Sequence, residues 1–202
     1  MKKNRKKLFW IMGGMASGKS TLRRAFCTVF GTHDAELIQE EGIEYTSFGR
    51  VGCPGKCVKG DGCDGLDQSF SKLKKEGGIR TTERCIREHE IVVLEGSQTT
   101  FQWVKPLVDI CSRNNCDFYM VLMDCRLWEN YKRLKKRILA RGETDKDVTD
   151  SRLNNVRAKN KQYKGIFTKS QKVEGINFIR IDTEGMEVEE EIMQLIEESG
   201  LY

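Results

Sequence analysis

Long apolar runs, prolines and histidines are all scarce in this 202-residue chain. No apolar stretch approaches the roughly 18 residues that a membrane-spanning helix needs, so no membrane partner is expected. Only two prolines occur, Pro54 and Pro106, with no internal repeat and no low-complexity segment. That excludes a proline-rich linker, and one domain over residues 1–202 is expected. The two histidines, His33 and His89, lie far in sequence from the cysteine cluster discussed below. Nothing directs export either. The run Leu8–Met12 follows a basic start, but it is too short for a signal peptide and is cut by Gly13 and Gly14. The eight cysteines are therefore expected as reduced thiols in a cytoplasmic protein.

What is present is a globular composition with a wet surface: 38% hydrophobic and 32% charged residues. The net charge of +5 equals the five charges of Lys2, Lys3, Arg5, Lys6 and Lys7. A basic tip of this kind can help hold a polyanion, and the bland alternative is a solvated end.

Periodicity predicts strands at Leu8–Met12, Ile43–Phe48, Ile91–Leu94, Phe118–Met123 and Phe178–Ile181. Helices are predicted over Lys19–Phe30, Ser69–Lys75, Thr81–Glu88, Phe101–Arg113, Leu127–Ala140, Asp150–Tyr163 and Val188–Glu198. Gly49–Gly65 reads as a loop, because it holds six glycines, a proline and three cysteines in 17 residues. Alternation of strand and helix implies an α/β fold, a three-layer α/β/α sandwich on a parallel five-stranded sheet. Ligands in such sheets bind beyond the carboxyl ends of the strands.

One motif carries specific chemistry. Gly13, Gly14, Met15, Ala16, Ser17, Gly18, Lys19 and Ser20 spell Gly-x4-Gly-Lys-Ser between a buried strand and a helix, with Thr21 next. Its glycines let several backbone N–H groups converge on one anion, and the helix N-terminus adds positive potential. Lys19 can reach the β and γ phosphates of ATP, and Ser20 can hold Mg²⁺ through its hydroxyl. A plain glycine turn would not need Lys-Ser after the second glycine.

Other candidates surround it. Ile91–Leu94 ends in Glu95, which would orient an attacking hydroxyl, accept its proton, or hold a water on Mg²⁺; the ordinary reading is a strand-end acid. Gly96 would let a substrate approach the backbone. Arg133, Arg137 and Arg141 recur at spacing four on one predicted helix, and Arg137 and Arg141 are candidates to stabilise a transferring phosphoryl group. Lys132, Lys135 and Lys136 share that helix, so a solvated basic face is the alternative. Cys53, Cys57 and Cys63 place three thiols within 11 residues. They would make a zinc site only with a fourth ligand folding back, and a flexible acceptor loop with reduced thiols is the preferred reading. Asp64 and Asp67 are further acids for positioning a hydroxyl, or simply make a turn.

Together the phosphate loop, Glu95-Gly96, the run Arg133–Arg141 and Asp150-x-Arg152-Leu153 resemble small P-loop kinases of the nucleoside monophosphate kinase type. The resemblance covers most of the chain and implies ATP and Mg²⁺ as cofactors. It also implies a helical lid at about 133–157 and an acceptor segment between the second and third strands. Gly49-Arg50, the glycine–cysteine loop and Cys63–Asp67 also resemble the viral kinases that phosphorylate 5-hydroxymethyluracil within DNA. That likeness implies a modified-DNA acceptor and a host-cytoplasm location. Residues 49–68 would form the acceptor loop, with Arg50, Asp64, Gly96 and Phe101 as acceptor-binding residues and Phe48 and Trp103 as further stacking surfaces. Where thymidylate kinases carry Asp-Arg after the third strand, this chain has Glu95-Gly96-Ser97. Alternatives are a kinase acting on free nucleotides, a kinase of small metabolites, and a P-loop ATPase or switch.

Overall fold

The computed structural model describes residues 5–57, 66–144 and 149–201. Its centre is β1 (Lys6–Gly13), a strand apolar on both faces. Leu8, Trp10 and Met12 point into one core while Phe9 and Ile11 point into the other. That two-sided burial is why the run is continuous rather than alternating. β5 (Ile91–Glu95) and β6 (Cys116–Asp124) repeat the pattern on either side of β1, both parallel to it. β7 (Ile176–Asp182) continues the parallel array beyond β6, and β4 (Val51–Pro54) extends it beyond β5. The parallel array therefore has five strands, four of them where the sequence placed them.

Two more strands extend the sheet. β2 (Glu36–Glu40) and β3 (Ile43–Phe48) run antiparallel, giving the order β2-β3-β4-β5-β1-β6-β7. The strand predicted at Ile43–Phe48 exists, but it belongs to this extension rather than to the parallel array. The parallel strand in its place is β4, inside the segment expected to be a loop. Its composition misleads for a steric reason: a Cβ at Gly52 would meet His89 Nδ1 at 2.7 Å. Glycine here marks close packing under a side chain rather than a turn.

Helices cover both faces. α1 (Lys19–Phe30) and α6 (Val188–Ser199) pack on the Phe9 side, through Leu22, Phe26, Ile192 and Leu195. α2 (Leu66–Glu88), α3 (Val104–Arg113, entered through a 3-10 turn at Phe101–Trp103) and α5 (Asp150–Ser170) pack on the Trp10 side. The two short helices predicted at Ser69–Lys75 and Thr81–Glu88 are one helix, kinked at Lys74 (φ 51°). α4 (Leu127–Ala140) leans on α5 through a small separate cluster of Leu134, Ile138 and Val156, with Ala16 of the phosphate loop against it. Among the described residues no helix is long and apolar enough to cross a membrane.

The basic tip is partly built into the sheet. Lys6 Nζ donates to the carbonyls of Ile86 and Arg87 at 2.6 Å, Lys7 Nζ donates to the Ser199 carbonyl at 2.9 Å, and Arg5 pairs with Asp117 at 2.8 Å. These groups sit at the start of β1, the end opposite the phosphate loop. Lys2 and Lys3 lie outside the described residues.

Packing on the Trp10 side sets one expectation. A Cβ at Gly78 would lie 2.5 Å from Cη2 of the buried Trp103 and 3.0 Å from Leu66 Cδ2. Gly78→Ala should destabilise the protein by about 1–3 kcal/mol, the usual cost of overpacking. Urea unfolding midpoints would show it; an unchanged midpoint would mean that α2 shifts freely against α3.

Candidate active site

The loop from Gly13 to Ser20 joins the carboxyl end of β1 to α1. A Cβ at Gly13 would strike Ser17 Oγ at 2.5 Å and the Met123 carbonyl at 2.7 Å, so only glycine fits there. Gly18 (φ 95°) and Ala16 (φ 60°) hold the left-handed conformation, the kind of backbone from which anion nests are built. Ser17 is buried, and its hydroxyl lacks a hydrogen-bond partner among the described residues. Lys19 Nζ donates to the Gly14 carbonyl at 2.9 Å and lies 6.0 Å from the centre of the Tyr163 ring. Burial lowers the Lys19 pKa, with Glu95 and Asp67 opposing and Arg137 and Lys159 reinforcing the fall.

Glu95 ends β5 beside the start of α1. Its side chain is buried, accepting from Ser20 Oγ at 2.6 Å and from Arg23 Nε at 3.1 Å. Arg23 is itself only 2% exposed, so the two form a buried ion pair. Ser20, Arg23 and Cys27 follow one another at helical spacing on the sheet-facing side of α1. A cation placed among Leu22, Phe26 and Cys27 was the available signal for this partner of Glu95, and sequence reasoning missed it.

The remaining candidates separate in space. A pocket of about 290 Å³ brings together Met15–Thr21, Asp67, Glu95, Ser97, Arg137, Asn155 and Lys159. Asp67 Oδ1 accepts from the backbone N–H groups of Ser97 at 2.7 Å and Gln98 at 3.3 Å, fixing the loop after β5. Lys159 Nζ donates to the Ser97 carbonyl at 2.8 Å, and the Tyr163 hydroxyl donates to the Gly96 carbonyl at 3.0 Å. Lys159, Tyr163 and Asn155 were not singled out in the sequence, because α5 reads as a polar surface helix. Asn130 was missed too. It is fully buried on α4, and its Nδ2 would lie 3.1 Å from a Cβ at Gly14.

Arg137 faces this pocket from α4. Partial burial, then Arg141 and Arg24, lower its pKa, and Glu95 opposes them. Arg141 sits at the C-terminus of α4, exposed and in the field of Arg137. Arg133 does different work. It donates to the Thr183 carbonyl at 2.5 Å and pairs with Glu129 at 3.2 Å, tying α4 to the loop after β7.

Several proposed acceptor residues are not in the pocket. Arg50 pairs with Glu90 at 2.7 Å in the turn before β4, at the amino-terminal edge of the parallel strands. Gly96 does not open onto it: a Cβ there would contact Leu66 Cβ at 3.1 Å. Trp103 is buried in the core and cannot stack on a ligand, whereas Phe101 is 43% exposed. Cys53 is fully buried in β4, with its sulfur 3.4 Å from that of Cys27. Asp64 and Cys63 lie outside the described residues.

No protein-family model and no curated protein sequence matches the chain. Solved structures do match its fold. The YorR protein of Bacillus subtilis, solved in complex with phosphorylated GDP, aligns over 97% of this chain and 99% of its own, with 12% identity and a TM-score of 0.53. A putative kinase from Chloroflexus aurantiacus aligns over 97% and 96%, with 11% identity and a TM-score of 0.52. Deoxyadenosine kinase from M. mycoides, solved with the products dCMP and a flexible dCDP, aligns over 96% and 98%, with 14% identity and a TM-score of 0.51. The chain thus shares its α/β fold with these proteins over nearly its whole length.

One titration beside the loop has a definite sign. Glu191 of α6 is buried, and its Oε1 would lie 3.9 Å from a Cβ at Gly18. Burial raises its carboxyl pKa to about 7, against the pull of Arg133 and with help from Glu187. An ordinary carboxyl in the unfolded chain titrates near 4.5. Between those values the folded protein keeps a proton that the unfolded chain has lost. This stabilisation is fully present below about pH 4.5 and is lost as pH rises to about 7. Glu191→Gln should flatten that part of the stability profile and stabilise the protein at pH 8. Urea unfolding of both proteins at pH 5 and 8 checks it; an identical pH dependence would contradict it.

Proposed function

We propose that the chain is an ATP-dependent P-loop phosphotransferase that transfers the γ-phosphoryl group to a free nucleoside or nucleotide. The observation that carries this reading is the convergence of Lys19, Ser20, Glu95 and Arg137 on one pocket at the carboxyl edge of the parallel strands. Residues 1–202 would act as one catalytic domain, with the segment at about 133–157 as its lid, of which residues 145–148 lie outside those described.

The residues present fit a nucleotide triphosphate. The left-handed turns at Ala16 and Gly18, the Cβ-free Gly13 and the Ser17 hydroxyl, unpartnered among the described residues, suit a bound phosphate chain. Ser20 and Glu95 supply the oxygen donors that Mg²⁺ prefers. When bound, Mg²⁺ would neutralise charge on the β- and γ-phosphates. Of the roles open to Glu95, orienting Ser20 on the metal side is the one its hydrogen bonds support, since Ser20 and Arg23 each engage one of its oxygens. Asp67, held by the Ser97 and Gln98 N–H groups, is then the acid available to orient an acceptor hydroxyl. Lys19 counters charge on the phosphates. Arg137, with Arg141 behind it, meets charge that grows as the phosphoryl group leaves.

A free acceptor is favoured over 5-hydroxymethyluracil in DNA because the residues behind the DNA reading serve elsewhere. Arg50 is paired at the far end of the sheet, Cys53 is a core residue, and Arg5, Lys6 and Lys7 are anchored at the start of β1. The deoxyadenosine kinase and the YorR protein share this fold and were solved with nucleotides. That likeness supports the same acceptor class.

Lys19→Ala is expected to lower phosphoryl transfer at least about 100-fold with the fold intact, the loss typical of one strong transition-state contact. Near-normal turnover in that variant removes the central reading. Arg137→Ala and Arg141→Ala should lower kcat more than they raise KM for ATP. An unchanged kcat in both would make α4 a solvated basic face.

The acceptor class is tested with radiolabelled ATP and a panel of deoxynucleosides, nucleoside monophosphates, and hydroxymethyluracil and thymine oligonucleotides. Label is expected in a free nucleoside or nucleotide. Label entering only the hydroxymethyluracil oligonucleotide would restore the DNA reading. ATP hydrolysis with no acceptor labelled would point to an ATPase or switch.

A further inference from the structure

A second cavity, of about 570 Å³, lies apart from the phosphate pocket, between α1, the strands β2 and β3, and Lys56 and Cys57 after β4. Its volume falls in the range of small-molecule sites. The lining is chemically one-sided. Arg23, Arg24, His33 and Lys56 contribute to it, and none of its described lining residues is a carboxylate. Arg24 and Lys56 are its cations besides Arg23, whose guanidinium is shared with Glu95. Phe48 adds a half-buried aromatic surface, and the half-exposed Cys57 also faces it. Cations for a phosphate beside a ring for a flat base are the requirements of a nucleotide.

The cavity is wired to the phosphate site. Arg23 lines it and also pairs with Glu95, which accepts from Ser20 in the loop. Arg24 lines it and acts on the charge of Arg137, which faces the phosphate pocket. An anion entering here draws on the same guanidinium that holds Glu95 in place. We propose that this cavity is a second ligand site for a nucleoside monophosphate, and that its occupation loosens Glu95 from Arg23 and slows phosphoryl transfer. The binding half of this inference stands on the cavity alone; the slowing rests on the function proposed above. Any part of the slowing that comes from weaker ATP binding is reciprocal, since linkage couples the two binding free energies.

Cys57 is a built-in reporter, since Cys27 and Cys53 beside it are 3% and 0% exposed. The experiment follows iodoacetamide alkylation of Cys57 by peptide mass spectrometry, with AMP or inorganic phosphate as probe. The proteins are the wild type, Thr28→Trp, which fills the cavity from α1, and Lys56→Glu, which reverses one of its charges. At AMP tenfold above its Kd, wild-type labelling should slow about tenfold by mass action. Inorganic phosphate at that concentration should do little, and both variants should lose the protection while keeping wild-type turnover without AMP. In the turnover assay AMP should slow the wild type about fivefold, within the usual range of site-to-site coupling, and the variants hardly at all. Unchanged Cys57 labelling overturns the site even if the protein proves to be a kinase. Equal protection by inorganic phosphate overturns the nucleotide class, and protection that survives Thr28→Trp places the AMP elsewhere. If no acceptor is ever phosphorylated, the labelling result still decides whether the cavity binds.

Discussion

A carboxylate removed from water is costly, and the arrangement around the phosphate loop depends on how Glu95 meets that cost. One oxygen takes the Ser20 hydroxyl and the other takes the Arg23 guanidinium, itself buried. A buried ion pair of this kind contributes little net stability, but losing one partner is expensive, because a lone charge is then left inside. The pair therefore specifies position more than it adds stability. It fastens the end of β5 to the first turn of α1 and so sets where Ser20 points. Lys19 benefits from the same charge, since Glu95 offsets part of the burial that pulls its pKa down.

The opposite wall of the pocket is held by division of labour along two polar helices. On α4, successive arginines at spacing four do different things: Arg133 grips the Thr183 carbonyl, Arg137 faces the pocket, and Arg141 ends the helix in solvent. On α5, Lys159 and Tyr163 fasten the backbone of Ser97 and Gly96, while Val156 packs against Leu134 and Ile138. Both helices look solvated by composition. Their few apolar contacts and their hydrogen bonds to backbone carbonyls fix them beside the loop.

The strands and helices that were legible are those whose pattern follows from burial alone. β1, β5, β6, α1 and α4 announce themselves because continuous apolar runs and 3.6-residue periodicity arise from little besides burial. The loop Gly13–Ser20 was legible for a chemical reason, since its residue types match a phosphate ligand. β4 was hidden because Gly52 and Pro54 read as turn residues, although Gly52 is there to clear His89. β2 was hidden because its only partial burial is at Ile38. Arg23 was hidden because a cation on a helix reads as surface until its partner is known to lie 72 residues further on. Arg50 and Gly96 misled in the opposite sense: their residue types suited a ligand, but the topology gave them to the far edge and to α2.

The antiparallel extension has a bearing on how copies of this chain behave toward one another. Among the described residues β2 pairs only with β3, so its other side offers backbone donors and acceptors at the rim of a seven-stranded sheet. Such a rim is a template on which a neighbouring chain can add a strand. The strand reads Glu-Leu-Ile-Gln-Glu and is followed by Glu41, so acids bracket it at both ends. Two copies meeting rim to rim would bring these like charges together. The same five residues that complete the sheet thereby oppose its growth by like-charge repulsion at that edge.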